Sequence, residues 1–350
     1  MLWASSCGWL WDSHQINFGG KKVEIQKKLT KESFWTLYNK SQTKEKVLFV
    51  RLLKELCEIL PKKYRTKGNK PLELSHVIFC LCMKSYCLKS GRRIIGELEL
   101  CKEAKLIEKV PHFNSLFNYL KNPEIMNILQ DLIKLTSLPL KAIEKKFCCD
   151  SSGFGNAVIH DRWSQIRQQY QKHHKYFKAH ITFGVLTNIV TACKITNGNQ
   201  ADSPMLPELV EETSHNFKLE EFSADKAYSS RLNLEKIWEK GCLPLIPFKE
   251  NARARRGAMI WTEMYNFFKQ NNELFMKKYH LRSNAESGFH SIKAKFGDLT
   301  QMRNETGAKN DILVKILCYN LCILCEEIFN LNLDFSFAQI RKEAAQLQTL

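Results

Sequence analysis

KFCCDSSGF, residues 146–154, is where the chain changes character. The apolar Phe147, Cys148 and Cys149 run into Asp150, and Ser151, Ser152 and Gly153 follow with turn chemistry, so the segment reads as a short buried strand with a carboxylate at its end. Upstream, from about Lys22 to Lys146, apolar residues recur at helical spacing in VLFVRLLKELCEIL, ELSHVIFCLCMKSYCL, RRIIGELELCKEA and SLFNYLKNPEIMNILQDLIKL. Pro61, Gly68 with Pro71, Gly91, Pro111 and Pro139 punctuate those runs. Downstream, KAHITFGVLT and IVTACKITNG flank Asn188 as the arms of a hairpin. PMLPELVEETSH then reads as a helix, EEFSAD as a strand ending in Asp225, RLNLEKIWEKG as a helix and LPLIPF as a strand. This alternation argues for an α/β fold, a mixed sheet flanked by helices and preceded by an all-helical region. From Ile312 onward the pattern returns to helix.

A chain of 350 residues with 44% hydrophobic and 11% aromatic content can bury a large core, as two domains or one elaborated domain. Its formal charge of +17 favours a polyanionic partner, nucleic acid first, although ribosome-associated and membrane-surface proteins share such a balance. Among the 13 cysteines, Cys318, Cys322 and Cys325 recur on one face of an apolar helix, and Cys80, Cys82 and Cys87 sit in VIFCLCMKSYCL. Free cysteine packs in such places as a small hydrophobe, and no CxxC has the matching CxxC or HxxxH that a zinc site needs. The odd total without a disulfide framework points to a reducing compartment. The opening MLWASSCGWLWDSHQ lacks a basic n-region and is interrupted by Asp12, so it reads as a tail or an upstream start rather than a signal peptide. No later stretch reaches the roughly 18 uncharged apolar residues of a membrane span, and a cytoplasmic protein is expected.

Two helices joined around KLIEKVPHFN can form either a helix-turn-helix, with Asn114 to Lys121 as the recognition segment, or part of a plain bundle. The most informative helix is YHLRSNAESGFHSIKAKFG, Tyr279 to Gly297. At about 100° per residue, Arg282, Glu286, His290 and Lys293 share one narrow face with Tyr279, while Leu281, Ala285, Phe289, Ile292 and Phe296 form an apolar face for the core. At about 1.5 Å per residue the polar face is roughly 21 Å long, enough to follow several phosphates of a DNA strand. An acid in its middle can hold a cation, with Arg and Lys on either side to meet phosphate oxygens. The alternative is a solvated face whose charges pair at i, i+4, as Arg282 and Glu286 would.

Tyr279, Arg282, Glu286 and Lys293 resemble, without a gap in spacing, the Y-R-E-K signature of insertion-sequence DDE transposases. Asp225 in DKAY resembles the second-acid motif of that family and Asp150 in CCDSSGF the first. NGNQADSP resembles its turn after the hairpin. The resemblance covers roughly Ser33 to Phe329, with SGRR at Ser90 to Arg93 and the PL-x-x-x-E segment ending at Glu144.

The resemblance implies an RNase H-like fold in which Asp150, Asp225 and Glu286 converge to hold two Mg²⁺ ions, with Mn²⁺ as a substitute. It implies a transposase that binds the terminal inverted repeats of its own element, cleaves them and joins them to target DNA, as a homodimer on paired ends at the nucleoid. The same acids would serve a nuclease without strand joining; a domesticated DNA-binding protein would keep the fold without the chemistry. Tyr279, Arg282 and Lys293 would hold phosphates or the 5′ end. In KENARARRG, Arg253, Arg255 and Arg256 form either a DNA-binding loop or a solvated one. Trp261 beyond it either stacks on an extruded base or belongs to the core. His173 and His174, beside Lys172 and Lys175, read as a basic surface turn, with metal binding as the alternative. The expected division is a tail at 1–21, a helical DNA end-binding domain at 22–145, an RNase H-like catalytic domain at 146–310 with a basic insertion at about 249–278, and C-terminal helices at 311–350.

Overall fold

The computed structural model describes residues 15–18, 21–24, 31–60, 72–156, 176–254 and 257–347, with side chains between 35 and 343. Its first elements are an antiparallel strand pair, β1 (Gln15–Phe18) and β2 (Lys21–Glu24), so helix does not begin at Lys22 as expected. The alternating QINF and KKVE arms around Gly19-Gly20 carry a hairpin signal that outweighs the helical periodicity behind them. Among the described residues five helices follow: α1 (Lys31–Glu58), α2 (Leu74–Tyr86), α3 (Ile94–Glu103), α4 (Phe113–Leu120) and α5 (Glu124–Ser137). Helices α3 and α4 are separated by residues 104–112, longer than the turn of about 3–4 residues in a helix-turn-helix. Leu116 and Leu120 of α4 are buried in the same core as α2, and the Asn310 amide donates to the Leu120 carbonyl at 2.8 Å. The bundle alternative is the one realised, and Asn114 to Lys121 packs into it.

The sheet has the order β5-β4-β3-β6-β7, where β3 is Lys146–Asn156, β4 Tyr176–Gly184, β5 Val190–Asn197, β6 Glu221–Ala224 and β7 Leu243–Leu245. The first three strands form an antiparallel meander, while β6 and β7 add in parallel on the other side of β3. A two-residue strand, β8 (Leu299–Thr300), pairs with the far end of β3. This mixed α/β sheet with its helical covers is an RNase H-like fold. The helices after β5 are α6 (Leu206–Ser214), α7 (Arg231–Glu239), α8 (Met259–Gln270), α9 (Asn272–Tyr279), α10 (Ser283–Phe296), α11 (Glu305–Asn330) and α12 (Phe337–Leu347). No helix among the described residues is long and apolar enough to cross a membrane.

Two hydrophobic clusters cover the two faces of the sheet. One unites Phe49, Leu53, Ile78, Leu129 and Ile133 of the N-terminal helices with Phe154, Ile181 and Phe183 of the sheet and with Ile312, Leu317 and Leu321 of α11. The helices before residue 146 and after 305 therefore share one core with the sheet. Cys80, Cys82, Cys318, Cys322 and Cys325 are buried in it, as helical spacing indicated, with Cys87 at its margin. The second cluster, under α6, α7 and α8, holds Phe147, Leu209, Phe222, Ile237, Trp261 and Phe275.

Close approach of α10 to the sheet depends on Gly288, because a Cβ there would stand 2.6 Å from the Phe183 ring. The Glu144 carboxylate is fully buried and serves the β4–β5 hairpin: it accepts from the Thr187 amide at 2.7 Å, the Thr187 hydroxyl at 2.7 Å and the Leu186 amide at 3.2 Å. Burial pushes this carboxyl from the ordinary 4.5 up to about 7, against the lowering pull of those hydrogen bonds.

Gly288→Val is expected to lower unfolding stability by about 1–3 kcal/mol in urea denaturation, through overpacking against Phe183. Glu144 carries a pH signature. Its folded pKa is raised, so its contribution is full below about 4.5 and is lost as pH rises through about 7. Over that window it should remove roughly 3 kcal/mol at most, and Glu144→Gln should flatten the wild-type decline in melting temperature across it.

Candidate active site

The parallel ladder between β3 and β6 ends at the pair Cys149 and Ala224. Asp150 and Asp225 are each the next residue along their strands, so the two acids leave one rung side by side, on strands about 4.8 Å apart. Asp150 is not a strand-end residue as the sequence suggested. Strand β3 runs on to Asn156 because β4 pairs with it as far as Gly155. What ends at Asp150 is the partnership with β6, which opens one edge of β3 at the acid. Asp225 caps a short 3₁₀ turn, Lys226–Tyr228, and its carboxylate accepts from the Lys226 amide at 2.6 Å.

The run from Tyr279 to Phe296 is not one helix. Helix α9 ends at Tyr279, His280–Arg282 form a 3₁₀ turn, and α10 starts at Ser283. The break lies where the chain crosses between the two cores: Phe275, Met276 and Tyr279 pack into the second cluster, whereas Leu281, Ala285 and Phe289 pack into the first. Tyr279 lies along the Phe275 ring at 6.3 Å, and burial pushes its hydroxyl pKa up. Beyond the break the expected apolar face is realised, with Ala285, Phe289, Ile292 and Phe296 buried. Asn284 donates to the Val185 carbonyl at 2.6 Å, and Lys315 of α11 donates to the Gly297 and Leu299 carbonyls at 3.1 and 2.6 Å, so both ends of α10 are tied down.

This placement lays α10 along β3, with Arg282 at its head over the acids. The guanidinium forks: Nη2 donates to Asp150 Oδ2 at 2.9 Å and Nη1 to Glu286 Oε1 at 2.7 Å. The i, i+4 pair weighed against a cation-binding face is thus present, and it reaches the first acid as well. Asp150 and Arg282 are each 17% exposed and Glu286 is 62% exposed. Burial raises the Asp150 pKa, Arg282 opposes that rise, and the nearby Asp225 and Glu286 charges add to it. Arg282 Nε is buried with no hydrogen-bond partner among the described residues. Lys293, further along α10, donates to Ser152 Oγ at 2.7 Å and lies 5.3 Å from the Phe154 ring, and burial lowers its pKa. The structure therefore brings Asp150, Arg282, Glu286 and Lys293 together along β3, with Asp225 just past the end of the adjacent β6.

As they stand, no three His, Cys, Asp or Glu side chains among the described residues are grouped to hold one metal ion. The donor chemistry nonetheless suits a hard cation: two carboxylates share one positive group and a third acid leaves the same rung. Glu286 is the exposed member, held only through Arg282 among the hydrogen bonds described.

A family model, the transposase DDE domain, matches residues 146–321, half of the chain. The chain belongs to the transposase DDE domain family. Comparison with curated proteins and with solved structures gave no match. Membership in this transposase family implies DNA as partner, DNA transposition as the process, and divalent metal ions as the cofactor class. The match begins at the first residue of β3 and ends inside α11, so this transposase's matched region takes in the whole main sheet and α10.

Other expected site residues fall elsewhere. Arg253 is exposed, and its guanidinium turns back to the Ala252 carbonyl at 2.9 Å. Arg255, Arg256, His173 and His174 lie outside the described residues. Trp261 takes its core alternative: it is 9% exposed, packs edge-on to Phe248, and its indole N–H donates to the Arg253 carbonyl at 2.8 Å. The described residues among about 249–278 are held by that aromatic cluster and by Lys278, which pairs with Glu221 at the start of β6. Sequence reasoning passed over Ser152, the Lys293 partner, which only the period of two from Asp150 along an unbroken strand would have placed on the same face.

Arg282→Gln should raise the Asp150 pKa further, because it deletes the cation that opposes burial. Carboxyl carbon NMR titration of Asp150 checks this; an unchanged or lower value would mean that the fork is not the electrostatic partner of Asp150.

Proposed function

We propose that the chain is a working transposase that binds the terminal inverted repeats of its element, cuts the DNA strands there and joins them to target DNA. The observation that carries this is the Arg282 fork, which ties Asp150 to Glu286 beside the rung after which Asp225 emerges. Asp150, Asp225 and Glu286 are the residues that would hold divalent ions, Mg²⁺ with Mn²⁺ as a substitute. Ions there supply Lewis-acid activation of the attacking hydroxyl and stabilisation of the leaving oxygen in an in-line displacement.

The chain's own residues bind and orient the strand. Arg282 has more donors than its two carboxylates use, and the remaining Nη hydrogens of the fork offer a contact for a phosphate oxygen. Lys293, about 16 Å along the same face by helical rise, offers a second phosphate contact next to Ser152. Tyr279 supports this row from the second core and presents its edge to the DNA end. The exposed Arg253 and, by sequence, Arg255 and Arg256 would add DNA contacts, and the 22–145 region would engage the repeat sequence. The formal charge of +17 supplies the non-specific part of that binding. A homodimer on paired ends, acting at the nucleoid, would bring the two cuts together.

The decisive experiment is cleavage of a DNA fragment carrying the sequences that flank this gene. Alanine at Asp150, Asp225 or Glu286 should lower Mg²⁺-dependent nicking at the element boundary by about 10³-fold or more, with DNA binding retained. Binding without any metal-dependent cut by the wild type would reject the catalytic reading. Nicking without strand joining would reduce the protein to a nuclease on the same fold.

A further inference from the structure

The ladder that aligns Asp150 with Asp225 stops one residue before both of them, so no backbone pairing between β3 and β6 fixes their separation. The face of the sheet away from α10 carries a polar chain that spans this gap. Ser151, adjacent to Asp150, donates its hydroxyl to Asp202 Oδ1 at 2.9 Å, and Lys178 donates to the same oxygen at 3.0 Å. The residue after Asp202 is Ser203, whose carbonyl and hydroxyl oxygens lie 3.1 and 3.0 Å from the Asn233 amide nitrogen. That same nitrogen donates to the Tyr228 carbonyl at 2.7 Å, and the Tyr228 amide donates to the Asp225 carbonyl at 2.9 Å. Asn233 is 1% exposed in the first turn of α7, where an amide needs partners to be tolerated. Packing alone would be served there by an aliphatic residue.

We propose that Asp202 and Asn233 are positioning residues that set the distance between Asp150 and Asp225. Neither touches the DNA or the ions. Asp202 holds β3 beside Asp150 by fastening Ser151, Asn233 fixes the turn after β6, and Ser203 joins the two. The proposal rests on the reading of Asp150 and Asp225 as metal-holding acids, which it deepens by naming what holds them in register.

The test is Mn²⁺ binding to the full chain without DNA, by electron paramagnetic resonance and calorimetry, below each variant's melting midpoint. Asp202→Ala and Asn233→Ala should each weaken Mn²⁺ binding about tenfold, the scale for partners one step removed from metal ligands, and leave DNA affinity in EDTA within about twofold. Asp202→Asn keeps an acceptor for Ser151 and should recover most of the affinity. Glu208→Ala breaks an ion pair with Lys194 on the same face, outside the chain of contacts, and should bind Mn²⁺ as wild type does. If an alanine variant does not fold, Asp202→Asn paired with Asn233→Ser carries the comparison, with the loss confined to the serine variant. Wild-type affinity in Asn233→Ala or Asn233→Ser, or equal losses in the Asn and Ala variants at 202, would overturn the proposal while the metal site itself stands. Mn²⁺ binding that Asp150→Ala does not alter would overturn the metal reading and this proposal with it.

Discussion

The parallel pairing of Cys149 with Ala224 is the constraint on which the site depends. A parallel ladder aligns the residues that follow its last rung, so acids at the next position of each strand emerge together without any contact between their side chains. The strands themselves are placed by burial on both faces: Phe147 and Cys149 face one core, Cys148 and Phe154 the other. A shift of one residue would exchange those faces and put Asp150 on the side covered by α6, away from Arg282. Hydrophobic register and the location of the carboxylates are thus one specification.

Helix α10 is the second fixed element, and its position is over-determined. Its apolar face packs on the first core, its C-terminal end is bound by Lys315, and Lys295 pairs with Glu45 of α1. Helix α1 belongs to the region expected as a separate DNA-binding unit. Through that pair and the shared core, the N-terminal helices contribute to holding the face that carries Glu286 and Lys293.

The order of elements was legible in the sequence because it is written in local patterns: alternation in the strands, helical spacing between them, and an acid after each of two apolar runs. The sequence was less informative where tertiary pairing decides. The Ser-Ser-Gly after Asp150 has turn composition, yet β4 runs past it and keeps it extended. The Tyr279 to Phe296 run has unbroken helical periodicity, yet the polypeptide changes cores at His280–Arg282 and tightens there. Arg253 and Trp261 each left two readings open in sequence, DNA contact or not; in the fold the indole fastens the Arg253 backbone and the Arg253 side chain is left at the surface. The Asp202 to Asn233 connection joins residues 31 positions apart in sequence through a buried amide, and no periodicity marks it.

The Arg282 fork limits how the site can work. One guanidinium offers five donors, and two of its nitrogens already face carboxylates of Asp150 and Glu286. Cations that those carboxylates hold would compete with Arg282 for the same oxygens, and a phosphate would compete with the carboxylates for Arg282. Each exchange favours the other: a cation on the acids releases the guanidinium to the phosphate, and a phosphate on the guanidinium exposes the acids to the cation. Reciprocity of this kind would make metal affinity and DNA affinity rise together. It also keeps the buried charge of Asp150 compensated in the free protein, since a desolvated carboxylate left without a partner would be strongly destabilising.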